Sequence, residues 1–248
     1  MIHSLETGAE RTYQTKLGTT GGGPPLWFHD NKSIATGVQR ADGSAAYRID
    51  VATGDFTELP FIMGLRSAVL SPDDKAVYGV RMSPNGKTSL AIVSVDLGTG
   101  KESRLFTPPN TVPLTIAASP DGRTLALGWQ DGPAGQSKLH IARVGVEGAG
   151  YREVGTLDQP SGSGVSLIKW SSDGRSILFD KGQRGGVQRW NVMRVPADGS
   201  VAPSLVFTIS GGAIQYFDVS PDGSRYIYSA SENTDELWAL DNVLPMLK

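Results

Sequence analysis

Ser119-Pro120-Asp121-Gly122-Arg123 is the stretch that decides the fold, because close copies of it recur along the 248-residue chain. The copies are Ser71-Pro72-Asp73-Asp74-Lys75, Ser171-Ser172-Asp173-Gly174-Arg175, Ser220-Pro221-Asp222-Gly223-Ser224 and, more weakly, His29-Asp30-Asn31-Lys32-Ser33. The aspartates at 30, 73, 121, 173 and 222 are 43, 48, 52 and 49 residues apart. A period of about 50 residues is typical of propellers and other repeat architectures.

A second marker alternates with the first and gives the same period. It is formed by Glu6-Thr7-Gly8, Ala52-Thr53-Gly54, Gly98-Thr99-Gly100 and, more loosely, Gly148-Ala149-Gly150 and Ala197-Asp198-Gly199. Its final glycines are 46, 46, 50 and 49 residues apart. Two independent markers with one spacing indicate a structural repeat.

Short apolar runs of strand character fill the space between the markers. In the second repeat they lie at 67–70, 76–80, 89–95 and 102–106, bounded by Gly, Pro, Asp and Asn. None of the runs shows a sustained helical period. Four antiparallel strands per repeat predict an all-β propeller of four-stranded blades, with five repeats in a single domain over 1–248.

The turn residues agree with this prediction. Proline fixes φ at the first corner of a turn, aspartate accepts hydrogen bonds from nearby backbone N–H groups, and glycine permits positive φ. We therefore expect the Ser-Pro-Asp-Gly element to join the first and second strands of each blade. The Thr-Gly element is expected to join the third and fourth strands.

These hairpins, each followed by an apolar strand and then by a strand ending in Asp-x-x-Thr-Gly, resemble the TolB-like propeller repeats of bacterial proteins. The resemblance extends from about Glu6 to Val243. It implies the fold but no particular activity, since such repeats occur in scaffolds, in sensors and in domains attached to enzymes. The first hairpin, His29-Asp30-Asn31, departs from the pattern because it lacks the proline.

Closure of the ring leaves two alternatives. The chain opens with a third-and-fourth strand pair at 2–5 and 11–17, and it ends with a first, second and third strand at 215–219, 225–229 and 237–240. Joined together, these ends give a five-bladed ring with one strand too many. Alternatively, the opening pair completes a blade that begins upstream, and the chain is a piece of a propeller with six or more blades; we favour this second alternative.

Composition excludes several classes of protein. The formal net charge of −2 gives no basic surface for nucleic acid. Cysteine is absent, so disulfides and thiolate sites are excluded and the redox compartment stays open. No apolar run approaches the length of a membrane span, and the first residues do not form a secretory signal. Membrane insertion is not expected, and the location is either periplasmic or cytoplasmic.

The sequence predicts no catalytic residue, no metal ligand and no cofactor. The three histidines, His3, His29 and His140, have none of the spacings of a metal site. A Gly-x-Ser-x-Gly nucleophile motif is absent, and Gly21-Gly22-Gly23 lacks the following Lys of a phosphate-binding loop. The repeat aspartates are explained by turn formation.

Candidate binding residues come from the first strand of each blade, which lines the central channel of a propeller. Arg66, Lys169, Gln215 and Asp218 are the unusual polar residues there, and an ion pair between Asp218 and Lys169 is the simpler alternative to a binding site. Trp129 and Trp190 stand near loop ends and are expected at the surface. Trp27 and Trp170 precede the hairpins and are expected to pack between blades.

These observations favour a non-catalytic interaction or sensing scaffold for a protein or peptide partner, within a larger bacterial protein. Two alternatives remain open. One is the accessory propeller of a prolyl-oligopeptidase-type serine peptidase, and the other is a propeller lyase or lactonase.

Overall fold

Antiparallel strands joined by turns make up the part of the chain that the structure describes. The computed structural model describes residues 2–3, 10–11, 19–20, 26–40, 43–59, 62, 64–82, 89–107, 115–133, 135–159, 167–183, 189–210, 213–219 and 226–231. Its strands are β1 (Ile2–His3), β2 (Glu10–Arg11), β3 (Thr19–Thr20), β4 (Leu26–Trp27), β5 (Ser33–Arg40), β6 (Gly43–Asp50), β7 (Phe56–Glu58), β8 (Leu65–Leu70), β9 (Ala76–Met82), β10 (Ser89–Asp96), β11 (Glu102–Phe106), β12 (Thr115–Ala118), β13 (Thr124–Asp131), β14 (Lys138–Gly145), β15 (Arg152–Asp158), β16 (Ile168–Trp170), β17 (Ser176–Gln183), β18 (Arg189–Pro196), β19 (Ser204–Ser210), β20 (Ala213–Val219) and β21 (Tyr226–Ser231).

Within these ranges the strands form four antiparallel blades. The second blade is β8 to β11, the third is β12 to β15 and the fourth is β16 to β19, each with its strands in chain order. In the first blade, β5, β6 and β7 follow the same order, while β3 and β4 both pair with β5. Two short strands thus occupy the innermost position of that blade.

The expectation of five blades is wrong for the described residues. The fifth hairpin copy is flanked by β20 and β21, which form a sheet of only two strands, and β1 and β2 form another two-stranded sheet. A marker identifies a hairpin but does not supply the outer strands of a blade. The expected third strand at 237–240 lies outside the described residues, and the larger ring stays a prediction.

The hairpins at Asp73, Asp121 and Asp173 join the first and second strands of their blades, as predicted, while the copy at Ser220-Pro221-Asp222-Gly223-Ser224 lies outside the described residues. In the third blade Ser119 Oγ donates to Asp121 Oδ1 at 2.6 Å, and Arg123 N donates to the same oxygen at 3.0 Å. The pKa of Asp121 is lowered, first by the Ser119 hydroxyl and then by the Arg123 N–H. The hairpins at Asp73 and Asp173 repeat these contacts and the same lowering of the carboxyl pKa.

The degenerate first hairpin reaches the same conformation with other residues. Phe28 stands where the other hairpins have serine, and Ser33 Oγ donates to Asp30 Oδ2 at 2.8 Å instead. Arg48 Nη2 lies 2.8 Å from the same oxygen, and the guanidinium stacks 4.0 Å from the Phe28 ring centroid. The backbone N–H of Lys32, followed by Ser33 and Arg48, lowers the pKa of Asp30 to about 2.

The hydrophobic core lies between neighbouring blades. One buried cluster combines Val80 and Ile92 of the second blade with Leu125 and Val144 of the third. Two further clusters join the first blade to the second and the third blade to the fourth. Each of the first three blades therefore packs face to face on the next blade along the chain, as the blades of a propeller do.

Successive hairpins also touch across the blade boundaries. A Cβ on Gly122 would lie 2.7 Å from Pro72 Cγ of the preceding blade, so this approach requires glycine. At the first boundary His29 and Asp74 stand at the proline and glycine positions. There, His29 N donates to Asp74 Oδ1 at 3.0 Å, and His29 Nδ1 lies 2.8 Å from the same oxygen.

Candidate functional site

A strained bulge on β8 is the local feature that makes the inner strands a candidate site. The register between β8 and β9 shifts between Arg66 and Val69, and Ser67 has a φ of 48°, which is uncommon for serine. Ser67 Oγ accepts a hydrogen bond from Ile116 N at 2.8 Å and donates to Thr115 Oγ1 at 3.2 Å. These bonds to the inner strand of the third blade hold the left-handed conformation in place.

Arg66 is presented by this bulge at the end of the blade opposite the hairpin. It is the second residue of β8, is exposed, and pairs with Val80 through the backbone. No carboxylate among the described residues is within ion-pair distance of its guanidinium. Bulges and strained residues occur often at functional sites, so the exposed Arg66 beside this bulge is a candidate binding residue.

The other three predicted channel residues are distributed over later blades. Lys169 is half-buried on β16 and pairs with Leu178. Asp218 occupies the equivalent position of β20, opposite Ile227, while Gln215 falls at a register shift in that strand. The structure describes only the backbone of β20, so the side chains of Gln215 and Asp218 lie outside it and their ion pair or binding role stays a prediction.

Two of the expectations for tryptophan need correction. Trp129 is only 5% exposed, because it lies in the core between the second and third blades. Trp27 is 50% exposed rather than packed between blades. Trp170 is half-buried between blades as expected, and its Nε1 donates to Ala117 O at 3.1 Å. Trp190 is half-buried, and its Nε1 is buried without a described acceptor.

His140 lies between two carboxylates, an arrangement that sequence reasoning missed. Asp131 Oδ1 is 2.9 Å from Nε2, and Glu153 Oε1 is 3.0 Å from Nδ1. Trp129 stacks on the imidazole at a centroid distance of 5.1 Å. Because the carboxylates approach opposite ring nitrogens, they link three strands and do not converge on one metal position. In the described ranges no group of three such side chains could hold a metal ion.

Arg143, on the third strand of the third blade, is the second residue that sequence reasoning missed. It is half-buried, and its Nε is buried without a described hydrogen-bond acceptor. The available signal was a charged residue in the middle of the largely apolar strand β14. The repeat markers lie in hairpins and give no indication of such a residue.

Solved structures share the fold of this chain. TolB from Acinetobacter baumannii is 20% identical with a TM-score of 0.64, and the match covers 84% of this chain and 48% of TolB. Hydrazine synthase from Kuenenia stuttgartiensis is 15% identical with a TM-score of 0.58, covering 89% of this chain and 77% of that one. Acylaminoacyl peptidase is 16% identical with a TM-score of 0.51, covering 78% and 33%.

These likenesses concern the fold alone. This chain spans about half the length of the Acinetobacter TolB. No family model matches the sequence, and no curated protein matches it. None of the described residues lies in a helix that is long and apolar enough to cross a bilayer. Propellers with different activities therefore share this architecture, and function has to be argued from the site.

Proposed function

From the TolB-like β-propeller fold that this chain adopts, we propose that it is a non-catalytic interaction module within a larger bacterial protein. It holds a protein or peptide partner at the end of the blades opposite the Ser-Pro-Asp hairpins. The observation that carries the proposal is Arg66, an exposed cation without a described carboxylate partner on a strained, cross-linked bulge.

The rigidity of the bulge is what suits Arg66 to recognition. Ser67 is tied to Thr115 and Ile116 of the next blade, so the backbone beside Arg66 is fixed before a partner arrives. A guanidinium pairs with carboxylates through two parallel hydrogen bonds, which favours an acidic partner. Preorganisation lowers the entropy lost on binding.

Trp190 is the second contact in this proposal. It lies near the start of β18 and pairs with Gly182. This end of the fourth blade corresponds to the end of the second blade at which Arg66 lies. Tryptophan is frequent among binding hot spots, and the half-buried Trp190 leaves part of its indole exposed to a partner. Trp129 has no part in the proposal, because its burial leaves no surface for a partner.

The test is capture of a partner from a bacterial extract, followed by binding measurements with the purified partner. Arg66→Ala is compared with Arg104→Ala, which removes an exposed arginine from the outer strand β11. We expect Arg66→Ala to weaken binding by about tenfold, as for one charge-assisted pair, with an unchanged melting temperature. Equal binding by the wild type and Arg66→Ala would refute this site.

A further inference from the structure

A cleft at the opposite end of the molecule is independent of the Arg66 site. It lies between the third and fourth blades, beside the hairpins at Asp121 and Asp173, and has a volume of about 520 Å³. Pockets that hold small ligands range from about 300 to 1,000 Å³. Arg143 and Trp170 are among the residues that line it.

Arg143 is the cation of this cleft and has no described ion-pair partner. Its register position, opposite Ala126, is occupied in the other blades by Arg48, Ser94 and Arg194. Arg48 is neutralised by Asp30 at 2.8 Å. In contrast, no carboxylate of the described residues lies within 4.0 Å of the Arg143 guanidinium, and its Nε is buried with no acceptor in the described part of the chain. The fold therefore does not require a cation at this position.

The aspartates beside the cleft carry negative charge, and, after the serine hydroxyls of their own turns, the nearby charges of Arg123 and Arg175 contribute to lowering the pKa of Asp121 and of Asp173. Asp121 and Asp173 each accept, through Oδ1, a serine hydroxyl and a backbone N–H of their own turn. No described donor reaches either Oδ2. The serine hydroxyl is the first cause that lowers the pKa of each carboxyl group, so both are ionised near neutral pH.

Trp170 supplies a fixed apolar wall. Its Nε1 bond to Ala117 O holds the indole in place across the blade boundary. At the preceding boundary Ala118 and Ser94 occupy the register positions of Trp170 and Arg143, so neither the aromatic ring nor the cation is present at those two positions. The combination belongs to one blade boundary among those described.

We propose that this cleft binds a peptide segment that carries a carboxylate and a basic side chain close together. The carboxylate pairs with the fork of Arg143, the basic group pairs with Asp121 or Asp173, and the aliphatic part of the segment lies against Trp170. A compact polyanion fits less well, because the residues that line the cleft include two carboxylates and one guanidinium.

The experiment uses a random heptapeptide display library selected on the immobilised full chain. Enriched peptides are synthesised, and their binding is measured on the wild type, on Arg143→Met and on Arg194→Met. The control removes Arg194, which is exposed, from the equivalent register position of the fourth blade. We expect acidic and basic residues to be enriched together. Arg143→Met should bind about tenfold more weakly and Arg194→Met within about twofold of the wild type.

A second variant tests binding at the same cleft if Arg143→Met is unstable. Ser172 is exposed and lines the cleft, so Ser172→Trp blocks the cleft without changing its charges. We expect this variant to lose binding while its melting temperature is unchanged. Enrichment of no peptide, or of peptides that bind all variants equally, would overturn the proposal. Neither result would bear on Arg66, which lies at the other end of the blades.

Discussion

Gly148 and Gly150 offer a test of blade packing within one turn of the third blade. Both have positive φ, at 82° and 69°. A Cβ on Gly148 would lie 2.0 Å from the backbone carbonyl oxygen of Leu105 in the second blade, whereas a Cβ on Gly150 would meet nothing within 4 Å. The two alanine substitutions therefore share the conformational cost and differ in the contact between blades.

The magnitude follows from these two contributions. A left-handed conformation costs an alanine about 1–2 kcal/mol relative to glycine. Forcing extra volume into a packed region costs about 1–3 kcal/mol more, and here the neighbour is backbone that cannot rotate away. We expect a loss of about 2–5 kcal/mol in unfolding free energy for Gly148→Ala and about 1–2 kcal/mol for Gly150→Ala. The effect of alanine on the unfolded chain is common to both variants.

Urea denaturation followed by tryptophan fluorescence measures this difference, with equal m-values showing that the same surface is exposed on unfolding. If Gly148→Ala destabilises the protein no more than Gly150→Ala does, the second blade does not pack against this turn. The packing of successive blades described above would then be wrong at that boundary.

Three further outcomes are expected. Replacing Ser67 removes the hydroxyl that accepts the hydrogen bond from Ile116 N, which should lower the free energy of unfolding by about 1–3 kcal/mol. Ser67→Gly should be less destabilising than Ser67→Ala, because glycine tolerates the φ of 48°. Trp170→Phe loses the indole hydrogen bond across the blade boundary, so the midpoint of urea unfolding should correspond to a loss of about 1 kcal/mol. The pKa of Asp30 is held at about 2, against 3.8 without these contacts, mainly by the N–H of Lys32. The stabilising effect of the Asp30 carboxylate is therefore present above pH 3.8 and is lost as the pH falls towards 2. Asp30→Asn should be less stable than the wild type at pH 7, and it should lose less stability than the wild type between pH 3.8 and 2.

The hairpins could be predicted because their chemistry is local. Ser119, Asp121 and Arg123 make their hydrogen bonds within five residues of chain, so the sequence motif and the structural motif coincide. The strands on each side of a hairpin follow from the same local pattern. The number of blades does not, because a hairpin is formed by two strands whether or not the remaining strands of a blade are present.

The candidate sites could be predicted only in part, because they depend on contacts between blades. The sequence marks Arg66 as an unusual charge on an inner strand, but the bulge at Ser67 has no signature in the sequence. The expectation for Trp129 is wrong because nearness to a loop end says little about burial when another blade covers the strand. Arg143 was missed because its cleft is made by two blades that are distant in sequence.

Face-to-face packing of successive blades through their hairpins is the central claim, and one engineered cross-link tests it. A Cβ on Gly122 would lie 3.7 Å from Pro72 Cβ, and disulfides have Cβ–Cβ distances of about 3.8 Å. The chain contains no cysteine, so the double variant Pro72→Cys, Gly122→Cys has one possible pair.

Mass spectrometry of non-reduced tryptic peptides after mild oxidation of the folded protein gives the result. The structure predicts that the 72–122 pair closes, whereas a control pair, Pro72→Cys with Gly174→Cys, stays reduced because its hairpins belong to blades that are not neighbours. A 72–122 pair that stays reduced in the folded protein, or a control pair that closes equally well, would contradict the arrangement of blades.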